Sequence, residues 1–393
     1  VLIAPGFYEV QEKYELAVLL CRITTPYLIF ISITAIFGGM LNSVKKFAAF
    51  SFVPIIMNIC VIAFTYLWQE RLTAHFAISY SLIFAGVLQV VFMWFCLYRA
   101  KLTFSPSLSF YDDTDVTKLL KNMGPAAMSS GVQQINLFIS QSIASFIPGA
   151  VSILSYAERL YQLPLAIIGV TFGTILLPEL SQIYKKKDLV GANNLQNNAI
   201  IIALVLSIPA TVGLFVLANP IIHLIYERGA FIAEDTNKTA NALASFSLGL
   251  PAFVIAKILT PIFYANGDTK TPMRITVYSL LVNTFLNIVL MIPFSHIGIA
   301  IGSSIAAWYN VWLLNKYAKS QGNFKINIKT RKCVYKIFIS AFVMMGVLFI
   351  SNYFFHDFYY SHSVMVKILT LFSSIIIAAM VYLLTLYFFK IHL

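Results

Sequence analysis

The sequence predicts an all-α polytopic membrane protein with about eleven transmembrane helices, and two observations lead to this fold class. Hydrophobic residues make up 59% of the 393 residues and charged residues only 11%, whereas soluble domains carry roughly a quarter charged residues. Long apolar runs also recur along the whole chain, and a bilayer core requires about 20 such residues per helix. The charge is too scarce to coat a water-facing surface, which excludes a soluble protein.

The apolar runs are spaced so evenly that no soluble domain fits between them. The longest connections cover residues 98–123, 181–198 and 219–239. The predicted spans, in chain order, are 22–42, 51–68, 76–97, 124–147, 153–178, 199–218, 240–263, 273–293, 297–315, 333–352 and 366–389.

Basic residues are divided unequally between the two sides of the membrane that alternate loops must occupy. Nineteen of the 27 Lys and Arg lie in one set of loops, six lie in the other, and Arg159 and Lys257 lie within predicted helices. Loops rich in Lys and Arg stay in the cytoplasm. We therefore expect a cytoplasmic C-terminus, and the net charge of +12 reflects orientation rather than nucleic-acid binding.

A weak internal repeat relates two parts of the chain. A shift of 225 positions superposes three pairs: Pro26 on Pro251, Lys45 on Lys270 and Asn58 on Asn283. The pairs lie six predicted helices apart, and an even spacing keeps both copies in one orientation, as in the parallel repeats of several transporter families. Each half then has six helices. Because the first half shows only three, we expect three N-terminal helices to be missing from this chain.

Two adjacent charges, Glu158 and Arg159, lie inside one apolar segment. A charge at the bilayer centre costs roughly 2.5–3.5 kcal/mol on insertion scales. Either the two residues pair locally near the end of the helix, or Arg159 faces a water-filled cavity and binds an anionic substrate, because a guanidinium matches the geometry of phosphate. Lys257 is the other intramembrane cation, and the sequence leaves open whether its side chain snorkels or faces a cavity.

A polar helix lies in the predicted span 124–147, where Gln134 and Gln141 are among the amide and hydroxyl side chains. Such residues either hold helices together or line a path for a sugar-bearing head group. Catalytic and nucleotide-binding motifs such as GxSxG or a P-loop are absent from the sequence. We therefore expect neither an enzyme nor a cofactor, and transport without ATP hydrolysis at this chain.

Several blocks resemble the MurJ (MviN) lipid II flippases of the multidrug, oligosaccharidyl-lipid and polysaccharide exporter superfamily. They are APGF at 4–7, PYLIFISITAIFGGMLNS at 26–43, FAAFSFVPIIMN at 47–58, SYAERLYQLPLAIIGVTFGTILLPELS at 155–181, ERGAF at 227–231 and DTKTP at 268–272. The resemblance implies fourteen helices in two pseudo-symmetric six-helix lobes plus two C-terminal helices that form a lipid-tail groove. Here it implies residues 1–122 for the end of the first lobe, 123–318 for the second lobe and 319–393 for the last two helices.

The implied activity is translocation of an undecaprenyl-pyrophosphate-linked peptidoglycan precursor from the cytoplasmic to the periplasmic leaflet by alternating access. The expected protein is a monomer of the bacterial inner membrane. By resemblance, Arg159 matches a cavity arginine that holds the pyrophosphate, and Glu158 stands where Asp is usual. With these two residues, Lys257, Gln134 and Gln141 complete the predicted substrate site.

Some members of this family bind sodium through two Asp, an Asn and a Thr. The matching positions here read Ser140, Asn283, Asn287 and Ser303. Both carboxylates are replaced by uncharged residues, so sodium coupling is not expected, because desolvating a cation without an anionic ligand is costly. The rival functions are a polysaccharide or multidrug exporter of the same superfamily and a transport-inactive membrane fragment that acts as a scaffold.

Overall fold

The computed structural model describes residues 4–44, 46–68, 73–102, 131–132, 134–186, 188–361 and 363–390, and its regular elements are helices. Lys45 of the proposed repeat and residues 124–130 of one predicted span lie outside this described part. Within it, eight helices or merged helix pairs are long and apolar enough to cross a membrane. The prediction of an all-α polytopic membrane protein is therefore confirmed.

The chain forms two compact units, of which the first covers Phe7–Asn122. Its long helices are α1 (Gln11–Thr24), α2 (Tyr27–Ser43), α3 (Phe47–Trp68) and α4 (Ala74–Arg99). Phe37, Leu41, Val53 and Met93 form a small buried core. Helix α4 is joined to α3 by the buried Gln89, whose Nε2 donates to the Val53 carbonyl at 3.1 Å.

The second unit covers Met123–Leu393. It begins in the described part with α5, which is helical at 131, 132 and 134–144. The helices that follow are α6 (Ala150–Lys185), α7 (Leu189–Val216), α8 (Ala218–Tyr226), α9 (Ala233–Ser247), α10 (Leu250–Ala265), α11 (Lys270–Ser320), α12 (Ile328–Phe354), α13 (His356–Tyr359) and α14 (Val364–Phe388). Helix α6 packs against α7, α9 and α10, and these contacts place α6 at the centre of the candidate site.

Proline and glycine divide two of the apolar runs. The predicted span 22–42 falls on α1 and α2, which meet at Pro26. The predicted span 240–263 falls on α9 and α10, with Gly249 and Pro251 at the junction. A proline cannot donate the backbone hydrogen bond that would continue a helix across it. Hydropathy detects the apolar run but not this interruption.

Helix α11 contains two of the predicted spans. Its 51 residues would be about 75 Å long at 1.5 Å per residue, far more than one bilayer core. Ser295 breaks it with φ of 52° and ψ of −135°, which separates the predicted spans 273–293 and 297–315. After the break, a side chain at Gly298 would collide with the Leu290 carbonyl, so the close packing of the two segments requires glycine.

Polar side chains fasten the start of α12 to α7. Asn197 Nδ2 donates to the Lys325 carbonyl at 3.0 Å, and the Asn327 amide donates to Asn197 Oδ1 at 3.0 Å. The Lys325 amide donates to Asn193 Oδ1 at 2.8 Å. These bonds satisfy backbone groups of the connection before α12 and thereby set where the last helices begin.

Candidate functional site: a polar cavity in the second unit

A cavity of about 590 Å³ lies among helices α5, α6, α9, α10 and α11. This volume is in the range of small-molecule sites. One part of the wall is aromatic: Tyr161 is buried and stacks on Phe246 and Phe253, with ring centroids 5.2 Å and 5.8 Å away. The polar part consists of Asn136, Ser140, Gln141, Ser155, Glu158, Gln162, Lys257, Thr260, Tyr264, Thr276, Ser279, Asn283, Ser303 and Asn310.

Helix geometry separates the two adjacent charges of α6. Successive residues point about 100° apart around a helix, and Glu158 lies on the cavity wall whereas Arg159 does not. Arg159 is exposed. It lies one turn after Tyr156, whose ring packs against Tyr226 and Phe231, with ring centroids 4.8 Å and 5.5 Å away.

The remaining predicted substrate residues divide in the same way. Lys257 of α10 and Gln141 of α5 lie on the cavity wall, whereas Gln134 is exposed and does not line it. The methylene stem of Lys257 lies against Gly169 of α6. The cavity therefore brings together Glu158, Lys257 and Gln141 of the predicted set, and their role in substrate binding stays a prediction.

The residues at the sodium-matching positions form one hydrogen-bonded group, here called the amide cluster (Ser140, Asn283, Asn287 and Ser303). Asn287 Nδ2 donates to Asn283 Oδ1 at 2.7 Å and to Ser140 Oγ at 3.1 Å, and Asn283 Nδ2 donates to Ser303 Oγ at 3.3 Å. With the Asn287 amide turned over, its nitrogen donates instead to the backbone carbonyls of Asn283 and Ile299 at 3.2 Å.

The amide cluster offers a sodium ion no anionic ligand. All four side chains are uncharged, and they are engaged with one another. The described residues contain no group of three or more His, Cys, Asp or Glu that would hold a metal ion. Asn287 is fully buried, and a side chain at Gly302 would collide with its amide. The cluster thus joins α5 to both segments of α11 as a packed polar contact.

A second polar group was not predicted from the sequence, because its members are far apart in the chain. This charged chain consists of Lys367, His223, Glu227 and Thr236. Lys367 Nζ lies 2.8 Å from His223 Nε2, His223 Nδ1 lies 2.8 Å from Glu227 Oε2, and Thr236 Oγ1 donates to Glu227 Oε2 at 2.6 Å. It connects α14 to α8 and α9. The His223 and Glu227 spacing of four residues was the one local signal.

The environment of Glu227 favours its ionised form. Partial burial acts to raise the pKa of this carboxyl, but the hydrogen bond from Thr236 and the contacts with His223 and Lys367 outweigh it and hold the pKa below its usual value. Lys367 has only donors, so His223 accepts through Nε2 and carries its proton on Nδ1.

Similarity to known proteins identifies the family of this chain. The family model described as "Lipid II flippase MurJ" matches residues 1–372. The chain belongs to the MurJ family. It is 54% identical to the "Probable lipid II flippase MurJ" of Rickettsia prowazekii, over 99% of this chain and 76% of that protein. It is 40% identical to the Rhizobium tropici protein of the same name, over 88% of this chain and 66% of that protein.

Solved structures agree with the MurJ family assignment. A structure titled "Lipid II flippase MurJ, inward closed conformation" superposes with a TM-score of 0.77 at 30% identity, over 96% of this chain and 75% of the other. An inward-facing multidrug transporter of the MATE family gives a TM-score of 0.69 at 15% identity, over 79% of this chain and 72% of the other. The second likeness shows a shared fold. MurJ proteins are transporters, so this family is not one of enzymes.

Proposed function

We propose that this protein is a lipid II flippase, which moves an undecaprenyl-pyrophosphate-linked peptidoglycan precursor from the cytoplasmic to the periplasmic leaflet of the inner membrane by alternating access. Membership of the MurJ family carries the proposal. A polar cavity inside a membrane-spanning unit supports it, because a large hydrophilic head group cannot cross hydrocarbon without polar partners.

The proposed head-group site consists of Arg159, Glu158, Lys257, Gln134 and Gln141. Arg159 and Lys257 supply positive charge, and a guanidinium can bind pyrophosphate with two parallel hydrogen bonds. Gln141 on the cavity wall offers amide hydrogen bonds to sugar hydroxyls or peptide groups. Glu158 is the one acidic member, and as an ionised carboxylate it would repel the pyrophosphate.

The orientation and the energy source complete the proposal. The excess of basic residues on one side supports a cytoplasmic C-terminus. The uncharged amide cluster argues against a cycle driven by sodium bound at that position. We also propose that the protein works as a monomer.

Replacement of the endogenous flippase tests the function. Cells depleted of their flippase would receive this chain alone, or this chain joined to the part of the Rickettsia prowazekii relative that it leaves uncovered. We expect growth from at least one of them, and transport of a fluorescent lipid II analogue in vesicles that contain it. Growth failure with both, in membranes that contain the proteins, would contradict the proposal. Drug efflux without lipid transport would favour a multidrug exporter.

Arg159→Ala tests the site assignment separately. Losing a charged hydrogen-bonding partner costs about 1.5–3 kcal/mol, so we expect lipid transport to fall about tenfold or more. Arg331→Ala is the matched control, because Arg331 is an exposed arginine at the start of α12 that lies outside the cavity wall. Equal transport by both variants would remove Arg159 from the site and leave the flippase function standing.

A further inference from the structure

Glu158 is a carboxylate in α6, within the predicted span 153–178, and among the described residues it has a single hydrogen-bonding partner. Gln162, one turn later, donates from Nε2 to Glu158 Oε1 at 2.9 Å. Among the described residues, no Lys, Arg or His nitrogen lies within the 4.0 Å of an ion pair. Glu158 Oε2 takes part in no hydrogen bond with the described part of the chain, and the residue lies on the cavity wall.

The groups around Glu158 offer no neutralising charge within ion-pair distance in the described part of the chain. On its own helix, Arg159 does not line the cavity, and Tyr161 is buried against aromatic rings. Helix α10 contributes Lys257 and Tyr264 to the wall. The described wall residues of α5, α9 and α11 are all uncharged, and α7 contributes none. Glu158 is thus the one carboxylate on the described wall.

An ionised carboxylate in this position is costly unless a cation neutralises it. Isolated charges transferred to an apolar environment tend to neutralise instead of remaining ionised, and intramembrane carboxylates mark proton relays in pumps and transporters. The amide cluster on the same wall is uncharged, so it neither supplies a cation nor competes for one. A proton is the smallest ligand that restores neutrality.

We propose that Glu158 is a proton-binding site whose loading is coupled to the opening and closing of the cavity. When the cavity closes to water, Oε2 takes one proton from water and the carboxylate becomes a neutral carboxylic acid. Oε1 continues to accept from Gln162 throughout. On reopening, the proton returns to water, and no other bond is made or broken. The neutral acid also no longer repels an anionic substrate.

Infrared spectroscopy of the purified protein tests the proposal without any lipid substrate, so its outcome is independent of the flippase assignment. Difference spectra between mildly acidic and mildly alkaline pH report carbonyl bands of protonated carboxyls. We expect one such band that Glu158→Gln removes and Glu158→Asp retains at a shifted position. Glu179→Gln is the control, because Glu179 lies on the same helix, is exposed and does not line the cavity.

Cavity accessibility gives a second readout. A single cysteine at Thr276, which lies on the wall, would be introduced after replacement of the four native cysteines and labelled with a small thiol reagent. Thiol deprotonation makes the labelling rate depend on pH in every variant. We therefore expect the pH profile of Thr276→Cys labelling with Glu158 present to differ several-fold from the profile in Glu158→Gln. An unchanged infrared band in Glu158→Gln, or equal pH dependence of labelling with and without the carboxylate, would overturn the proposal.

Discussion

Two polar groups join distant helices in the second unit, and they differ in charge and in the solvent exposure of their central side chains. The two asparagines of the amide cluster are buried, with Asn283 and Asn287 3% and 0% exposed, and the cluster uses only uncharged side chains. The charged chain of Lys367, His223, Glu227 and Thr236 keeps some contact with solvent, since the side chains of His223 and Glu227 are 11% and 23% exposed. Deep sites favour neutral hydrogen bonds, whereas charges persist where solvation is partly retained.

In both polar groups the side chains satisfy one another, which indicates a structural role. The amide cluster occupies the positions where some MurJ proteins are expected to hold sodium, yet its uncharged groups satisfy one another. The charged chain has both signs of charge but holds them together between α8, α9 and α14. Neither group has an unpaired charge, in contrast to Glu158 on the cavity wall.

Among the variants that test this comparison, Asn287→Asp is expected to lose the most stability. It introduces a carboxylate at a fully buried position surrounded by uncharged partners, which costs about 3 kcal/mol or more of stability. Thermal unfolding in detergent, followed by tryptophan fluorescence, measures the loss. Sodium chloride should recover part of it relative to choline chloride, because the variant has an anionic ligand.

The wild type should unfold at the same temperature in both salts. Asn198→Asp, at an exposed position of α7, serves as the matched control and should change little. A selective stabilisation of the wild-type protein by sodium would contradict the expectation that the amide cluster does not bind this ion.

Glu227→Gln is expected to have an intermediate effect that depends on pH. Because the pKa of Glu227 is lower in the folded protein, its stabilisation is complete above the unfolded-state value of about 4.3 and is lost as the pH falls through the folded-state value. At neutral pH the variant should lose about 1–2 kcal/mol.

The measurement is the difference in melting temperature between wild type and Glu227→Gln as a function of pH. This difference should be present at neutral pH and should shrink as the pH falls below about 4.3. A difference that persists at the lowest pH would show that the Glu227 carboxylate is not stabilised by its partners in the charged chain.

Glu234→Gln is expected to have the smallest effect. Glu234 pairs with Lys238 at 2.6 Å, but their side chains are 68% and 43% exposed, and exposed pairs contribute little because water screens them. The melting temperature should stay within experimental error of the wild type. A loss as large as that of Glu227→Gln would mean that burial does not distinguish the charged chain from an ordinary surface pair.

Much of the fold was accessible from the sequence because the bilayer imposes a local rule. Each span must be long, apolar and internally hydrogen bonded, so hydropathy located helices such as α3, α4 and α12 within a few residues. The helix ends were less predictable, since α7 begins at Leu189 with Asp188 capping the Gly191 amide. Polar first turns of this kind lie beyond the apolar run that hydropathy detects.

The candidate site was only partly predictable. The sequence identified Glu158, Arg159 and Lys257 as charges that the membrane environment makes costly, and it identified the four positions of the amide cluster through resemblance. It did not reveal that Glu158 and Arg159 face different surroundings, because hydropathy averaged over a window of residues is nearly the same at adjacent positions. Gln162 could have been found from its spacing of four residues after Glu158.

The sequence by itself determined that this protein spans a membrane many times, with basic loops on one side and family motifs of MurJ, because composition and periodicity are properties of neighbouring residues. Only the tertiary structure decided which polar groups meet. Lys367 and His223 are 144 residues apart, and Asn287 and Ser140 are 147 apart. Such contacts depend on how helices rotate and pack, and that packing leaves Glu158 on the wall of a polar cavity without an ion-pair partner among the described residues.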